Sequence, residues 1–218
     1  MQTFKALSLM LAYPTEELQQ AINEIADVLK REAILPARHR RALNGFMRDL
    51  QALDTLDAQE RYVGLFDRNR ALSLHLYEHI HGESRERGQA MVQLSQLYKL
   101  HGLEIAEREL PDYLPLFLEF LSLLPERAAR SLLGQCSHVV AALREKLGER
   151  RSGYAEVLAA IEALAAKPAE RAAVDEVIAA LRPEADDLGV LDRQWEEEAV
   201  RFTGGTSPDA AGGARCGG

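Results

Sequence analysis

The segment richest in potentially reactive side chains is residues 73–84, which holds three of the chain's six histidines. His75 and His79 lie four residues apart, so on a helix both imidazoles would share one face. With Glu78 they give the order His-x-x-Glu-His, the inverted zincin signature, in which two histidines bind zinc and the glutamate is the base. A zinc metallohydrolase is therefore one interpretation, but it needs a third protein ligand, for which the sequence offers only undistinguished downstream glutamates.

The same pattern has a simpler interpretation, in which the imidazoles are hydrogen-bonded on a polar helix face beside a cleft and bind no metal. Other catalytic templates lack their backbone elements, because the sequence contains no Gly-x-Gly-x-x-Gly, no phosphate-binding loop and no Gly-x-Ser-x-Gly. Cys136 is followed by His138, which would suit a thiol nucleophile. Leu132, Val139 and Cys136 keep helical spacing, however, and this predicts that Cys136 is a small core residue.

Two apolar segments flank the histidine-rich one and are candidates for a binding groove. Tyr62, Leu65 and Phe66 stand together at the end of a short predicted helix, and residues 109–121 are apolar on nearly every side after a Pro-Asp start. A helix that is apolar all round is either central core or one wall of a groove. The residues themselves leave both open, with core the more frequent case.

The elements that must position these residues are helices. Leucine is far more frequent than valine and isoleucine, and apolar residues recur at spacings of three and four, as at Leu18, Ile22, Ile25 and Leu29. Prolines and glycines fall between these segments, which predicts about nine to ten helices. Short connections indicate one all-α, single-domain bundle over residues 1–200, closed by a hairpin of Ala-rich helices at 154–166 and 169–181.

The composition of the chain indicates where in the cell the protein is expected and which classes of partner it is not expected to bind. A net charge of -8 argues against affinity for nucleic acid or anionic lipid, so we expect no nucleic-acid partner and no stable membrane association. The basic run of Arg38, Arg40 and Arg41 is too short to change that expectation. The two cysteines lie far apart and no secretory signal is evident, so the protein is expected to be cytoplasmic. Residues 201–218 are rich in glycine, which predicts a disordered tail.

Three blocks, in order and spacing, resemble a known family: Tyr-Val-Gly-Leu-Phe-Asp-Arg at 62–68, a block at 73–91 containing His-Gly-Glu-Ser-Arg, and Glu-Leu-Pro-Asp-Tyr-Leu-Pro at 109–115. The sequence is similar to the nitrate reductase molybdenum cofactor assembly chaperones, within the broader TorD-like family of redox-enzyme maturation proteins. The resemblance covers residues 1–182, and the stretch after Pro183 carries little of it.

The resemblance implies an all-helical, cytoplasmic, non-catalytic protein that carries no cofactor of its own. Such a chaperone binds the N-terminal segment of the apo catalytic (alpha) subunit of a respiratory nitrate reductase. It permits insertion of the molybdenum cofactor before the subunit docks at the membrane. Contact with molybdenum cofactor biosynthesis proteins is left open.

The resemblance also implies where the peptide would lie. An amphipathic peptide helix would place its apolar face between the two apolar segments, with polar side chains at the rim. The residues expected to bind it are Tyr62, Leu65, Phe66, His75, Glu78, His79, Arg87, Asp112, Tyr113, Leu114 and Phe117.

Overall fold

The computed structural model describes residues 1–81, 85–105 and 109–181, and within these ranges it contains α-helices and no β-strand. The all-α prediction is confirmed. The helices are α1 (Gln2–Leu11), α2 (Glu16–Glu32), α3 (Ala37–Ala52), α4 (Thr55–Tyr62), α5 (Leu76–His81), α6 (Arg85–Leu100), α7 (Leu114–Leu123), α8 (Glu126–Gln135), α9 (Ser137–Glu149), α10 (Tyr154–Glu162) and α11 (Arg171–Ala180).

Eleven helices lie in the described ranges, more than the predicted nine to ten, and the two unexpected breaks, at residues 63–75 and at Cys136, contain no proline. Residues 55–81 divide into α4, a π-helical turn at Val63–Asp67, a 3-10 turn at Arg70–Leu72 and α5. Cys136 separates α8 from α9 with a non-helical φ of -111° and ψ of 11°. The apolar spacing continues through Cys136, so periodicity alone predicts one continuous helix where the structure has two.

α1 and α7 form the centre of the core, where they pack against each other. Phe4 and Leu7 of α1 and Leu118 and Phe120 of α7 are all fully buried. Of the two interpretations of the apolar segment 109–121, the structure therefore supports central core for α7. Ser8 fixes the register of the pair, because its hydroxyl donates a hydrogen bond of 2.7 Å to the carbonyl of Pro115.

The N-terminal helices start and stop at side chains suited to those positions. The Thr15 hydroxyl accepts the Leu18 amide at 3.2 Å and caps α2, and Ala33 ends that helix in the left-handed region with φ of 50°. Arg40 donates to the carbonyls of Leu35 and Ala33, at 2.9 and 3.4 Å. The guanidinium of Arg40 thus holds the α2–α3 connection by pairing with the carbonyl of the α2 C-cap and with a carbonyl of the loop that follows.

The predicted hairpin of the last two helices is wrong. α10 and α11 each pack against α9 and make few contacts with each other. The connection between them is diverted toward α8, where the Ala166 amide donates to the carbonyl of Arg130 at 3.0 Å. None of the helices in the described ranges is long and apolar enough to cross a membrane. The tail predicted at 201–218 lies outside the described residues.

Candidate functional site

Asp112 is the centre of a polar cluster that forms where the segment before α5 meets the segment before α7. Its side chain is 0% exposed. One carboxylate oxygen lies 3.1 Å from His75 Nδ1, and the other accepts the Tyr77 amide at 3.1 Å. Arg87 places Nη2 at 3.9 Å from that second oxygen. Because an ionised carboxylate only accepts hydrogen bonds, His75 Nδ1 carries the proton, and the buried charge is compensated by these donors.

The backbone around Asp112 ties the starts of α5 and α7 together. His75 and Tyr113 form an isolated antiparallel bridge. The Leu76 amide donates to the carbonyl of Asp112 at 3.0 Å, and the Leu114 amide donates to the carbonyl of Leu74 at 2.8 Å. These bonds satisfy first-turn amides of two helices that have no partner inside their own helix. Both helices therefore start from one shared, rigid junction.

Tyr98 connects α6 to the same junction. Its hydroxyl donates to the carbonyl of Pro111 at 2.7 Å, and its ring packs on Phe120 with ring centres 4.6 Å apart. Burial raises the pKa of Tyr98 above its ordinary value, so the hydroxyl keeps its proton as a donor. Along its 16 residues α6 buries only Leu94 and Tyr98, so this tyrosine is a principal anchor of the helix.

The expected placement of His75 and His79 on one helix face is wrong. α5 begins at Leu76, so His75 precedes the helix and lies in the backbone bridge. His79 Nε2 lies instead 2.7 Å from the carbonyl of Ser73 and donates to it. Burial lowers the pKa of His79 below its ordinary value, which favours the neutral imidazole.

Glu78, the base of the zincin interpretation, also has protein partners. Its carboxylate accepts the Ser73 hydroxyl at 2.6 Å and pairs with Arg70 Nε at 3.3 Å. Over residues 1–81, 85–105 and 109–181, no three His, Cys, Asp or Glu side chains are grouped so that they could hold a metal ion. The structure gives no support to the metallohydrolase interpretation.

Tyr62, Phe66 and Tyr154 form an aromatic cluster, and Tyr62 links this cluster to the Asp112 junction. Its hydroxyl donates to the carbonyl of Leu11 at 2.9 Å, so the 2.9 Å contact between the hydroxyls of Tyr62 and Tyr113 has Tyr113 as the donor. The rings of Tyr62 and Phe66 are 4.9 Å apart, and Tyr154 packs edge-on against Phe66 at 5.0 Å. The π-helical turn that carries Phe66 is of a kind often found at functional sites.

Of the eleven predicted site residues, five are buried and six are partly exposed. The buried members are Tyr62, Phe66, Asp112, Leu114 and Phe117. The partly exposed members are Leu65, His75, Glu78, His79, Arg87 and Tyr113. The partly exposed apolar members are therefore Leu65 and Tyr113, and the His75 ring lies 5.4 Å from the Tyr113 ring.

Sequence reasoning missed Ser73 and Tyr98, which hold this region together through hydroxyl groups. Tyr98 lies four residues after Leu94, a spacing that indicates an inward position on α6. Its partner, a loop carbonyl, cannot be read from spacing. Cys136 behaves as predicted: it is 7% exposed, and burial raises its thiol pKa to about 12.

Comparison of the sequence with known proteins shows the family to which this all-helical chain belongs. The model of the family described as nitrate reductase delta subunit matches residues 12–160, a range that contains every predicted site residue. The chain belongs to this family. That assignment confirms the resemblance seen in the three sequence blocks.

Three of the relatives are named as certain or probable assembly chaperones. The chain is 43% identical over 196 residues to the nitrate reductase molybdenum cofactor assembly chaperone NarJ of Escherichia coli K12, covering 90% of this chain and 83% of the relative. It is 37% identical over 203 residues to the probable chaperone NarW of the same organism, covering 93% and 84%. It is 33% identical over 156 residues to the probable NarJ of Bacillus subtilis 168, covering 72% and 84%.

Proposed function

We propose that this protein is a cytoplasmic assembly chaperone for a respiratory nitrate reductase. It binds the N-terminal segment of the apo alpha subunit and permits molybdenum cofactor insertion before the subunit docks at the membrane. The observation that carries the proposal is the family match over residues 12–160, together with 43% identity to a named chaperone over 90% of the chain. Since the match spans the Asp112 junction and the aromatic cluster, it includes the surface that would do the binding.

A non-catalytic role is supported by the contacts of the potentially reactive side chains, which are hydrogen-bonded within the protein or buried. His75 and His79 have hydrogen-bond partners within the protein, as does Glu78. Cys136 is a buried thiol with a raised pKa, which opposes formation of the nucleophilic thiolate. His75 ties the start of α5 to Asp112, and His79 and Glu78 both bond to Ser73, so these side chains serve the structure of the region, which suits a site for recognition.

The peptide is proposed to bind along the accessible edge formed by Leu65, His75 and Tyr113. The buried aromatic and aliphatic side chains beneath this edge make it rigid, and a rigid apolar surface binds with a smaller entropic cost. Partly exposed Glu78 and Arg87 supply polar groups at the rim. The net charge of -8 would speed association of a basic segment without determining its affinity.

Calorimetric titration with a synthetic peptide copying the N-terminal segment of the cognate alpha subunit tests this site. Tyr113→Ala removes the central ring of the accessible edge and should weaken binding by about 2 kcal/mol or more. Tyr113→Phe, which loses only the hydroxyl bonded to Tyr62, should bind nearly as the parent does. Leu123→Ala is the matched control, because Leu123 is 56% exposed at the opposite end of α7.

The circular dichroism spectrum and urea midpoint of each variant must match the parent before its affinity is interpreted. The site proposal is contradicted if Tyr113→Ala and Leu123→Ala bind equally well. It is also contradicted if affinity is lost mainly on raising the salt concentration, since that would place recognition on a charged surface.

A further inference from the structure

A cleft on α3, α9 and α10 lies apart from the Asp112 junction and shares no residue with it. It has a volume of about 380 Å³, within the range of small-molecule sites. The cleft is lined by Arg38, His39, Arg144, Ala159, Glu162, Ala163, Ala165 and Pro168. Half of these are alanine or proline, and their short side chains leave the space open beneath the charged groups.

The charged lining includes part of the basic run noted in the sequence. Arg40 is already used at the α2–α3 connection, where it donates to the carbonyl of Leu35. Arg38 is exposed, and its Nε donates to His39 Nε2 at 3.1 Å. Among the described residues, neither Nη nitrogen of Arg38 has an acceptor. In a chain with 34 acidic and 26 basic side chains, this places an uncompensated guanidinium at the cleft.

The carboxylate in the lining is compensated. Glu162 accepts Arg144 Nε at 2.8 Å, and Arg144 Nη2 lies 3.5 Å from Glu145. Within the lining, Arg38 and Arg144 oppose the one carboxylate of Glu162, which leaves a net charge of +1 that favours an anion. Glu156, outside the lining, also acts on His39.

His39 adds a donor that carries no charge. Because Nε2 accepts the Arg38 hydrogen bond, the ring proton of the neutral form is on Nδ1. Burial, followed by the charge of Arg38, lowers the pKa of His39 below its ordinary value and outweighs the opposing charges of Glu156 and Glu162, so the neutral form predominates at pH 7. The guanidinium and the imidazole together offer N–H groups of the kind that bind phosphate oxygens.

We propose that this cleft binds a phosphate-type oxyanion carried by a small molecule, with Arg38 as its main ligand, His39 as a second donor and the alanine side chains against the attached group. This site is independent of the peptide site. Arg38 supplies a planar fork, so a lysine at the same position would keep the charge but lose the paired hydrogen bonds.

The proposal is tested by titrating the full chain with inorganic phosphate and with pyrophosphate. The readout is the position of the His39 ring signals in NMR spectra. Saturable shifts of the His39 signals, and a His39 pKa that rises when the anion is bound, are expected. Arg38→Gln should weaken binding by about tenfold or more, and Arg38→Lys should give an intermediate affinity. Arg41→Gln is the matched control, because it removes the same charge from α3 outside the lining.

The proposal is overturned if neither probe shifts the His39 signals in a saturable way. It is also overturned if Arg38→Gln and Arg41→Gln weaken binding equally, since that would indicate general electrostatic attraction. A circular dichroism spectrum identical to the parent's confirms that each variant is folded. The peptide affinity of the Arg38 variants should be unchanged, so failure of this proposal and failure of the chaperone proposal are distinguishable.

Discussion

Replacing Asp112 by alanine should be among the most destabilising single changes in this protein. The substitution removes a fully buried carboxylate that accepts hydrogen bonds from His75 Nδ1 and the Tyr77 amide, both at 3.1 Å. Hydrogen bonds to a charged group contribute about 1.5–3 kcal/mol each. The two bonds together give about 3–6 kcal/mol. The His75 side chain is 31% exposed and can form a hydrogen bond with water instead, so the expected loss of stability is about 3–5 kcal/mol.

Asp112→Asn separates loss of acceptors from loss of volume. The amide keeps one oxygen for one donor but presents an NH₂ group to the other, so we expect a loss of about 1–3 kcal/mol. Glu109→Ala removes the same charge from an exposed position three residues earlier, and should change stability by less than about 0.5 kcal/mol. Urea denaturation at pH 7, followed by far-ultraviolet circular dichroism, measures all three.

The order of the three variants is the sensitive part of this experiment. Asp112→Ala should lower the free energy of unfolding more than Asp112→Asn, and Asp112→Asn more than Glu109→Ala. The urea dependence of the unfolding free energy should be unchanged in all three. If the stability of Asp112→Ala lay within about 0.5 kcal/mol of the parent's, the rigidity of the junction between the starts of α5 and α7 would not depend on this carboxylate, and Asp112 would not be its centre.

Three further predictions follow from single positions. Because burial lowers the pKa of His79, the unfolded chain takes up a proton below pH 6.5 that the folded chain does not, so stability should fall as pH drops from 7 toward 5; His79→Gln should reduce that slope in urea titrations at several pH values. Gly153→Ala should destabilise by about 1–3 kcal/mol in thermal denaturation, since its Cβ would lie 2.8 Å from the Phe46 ring, whereas Gly88→Ala in α6 meets nothing within 4 Å and should stabilise. Native Cys136 should resist iodoacetamide in peptide mass mapping and react only when unfolded, because burial raises its pKa to about 12.

The sequence was most informative where one local pattern decides the structure. Leu18, Ile22, Ile25 and Leu29 are spaced for a helix with one apolar face, and in α2 all of them are buried. Thr15 before Glu16 is a capping signal, and its hydroxyl does cap the helix. Such features depend on neighbours within a few residues, so spacing and residue type suffice to predict them.

Features that depend on distant parts of the chain were not predictable in the same way. The motif His75-x-x-Glu78-His79 would share a helix face only if the helix began before His75, and the bridge to Tyr113 prevents this. Asp112 and its partner His75 are 37 residues apart, and no periodicity connects them. The burial of Phe66 results from packing on Tyr154, a residue from another helix. Local patterns therefore predicted the candidate segments, while tertiary contacts decided which of their side chains remain accessible.

We propose that this protein enables molybdenum cofactor insertion into a nitrate reductase. The most direct measurement is the molybdenum content of the alpha subunit purified from cells that lack this chain and from the same cells complemented with it. We expect the alpha subunit to be poor in molybdenum without the chain, to regain molybdenum with the parent sequence, and to regain little with Tyr113→Ala. An alpha subunit with its full molybdenum content in cells lacking this chain and every related chaperone would contradict it.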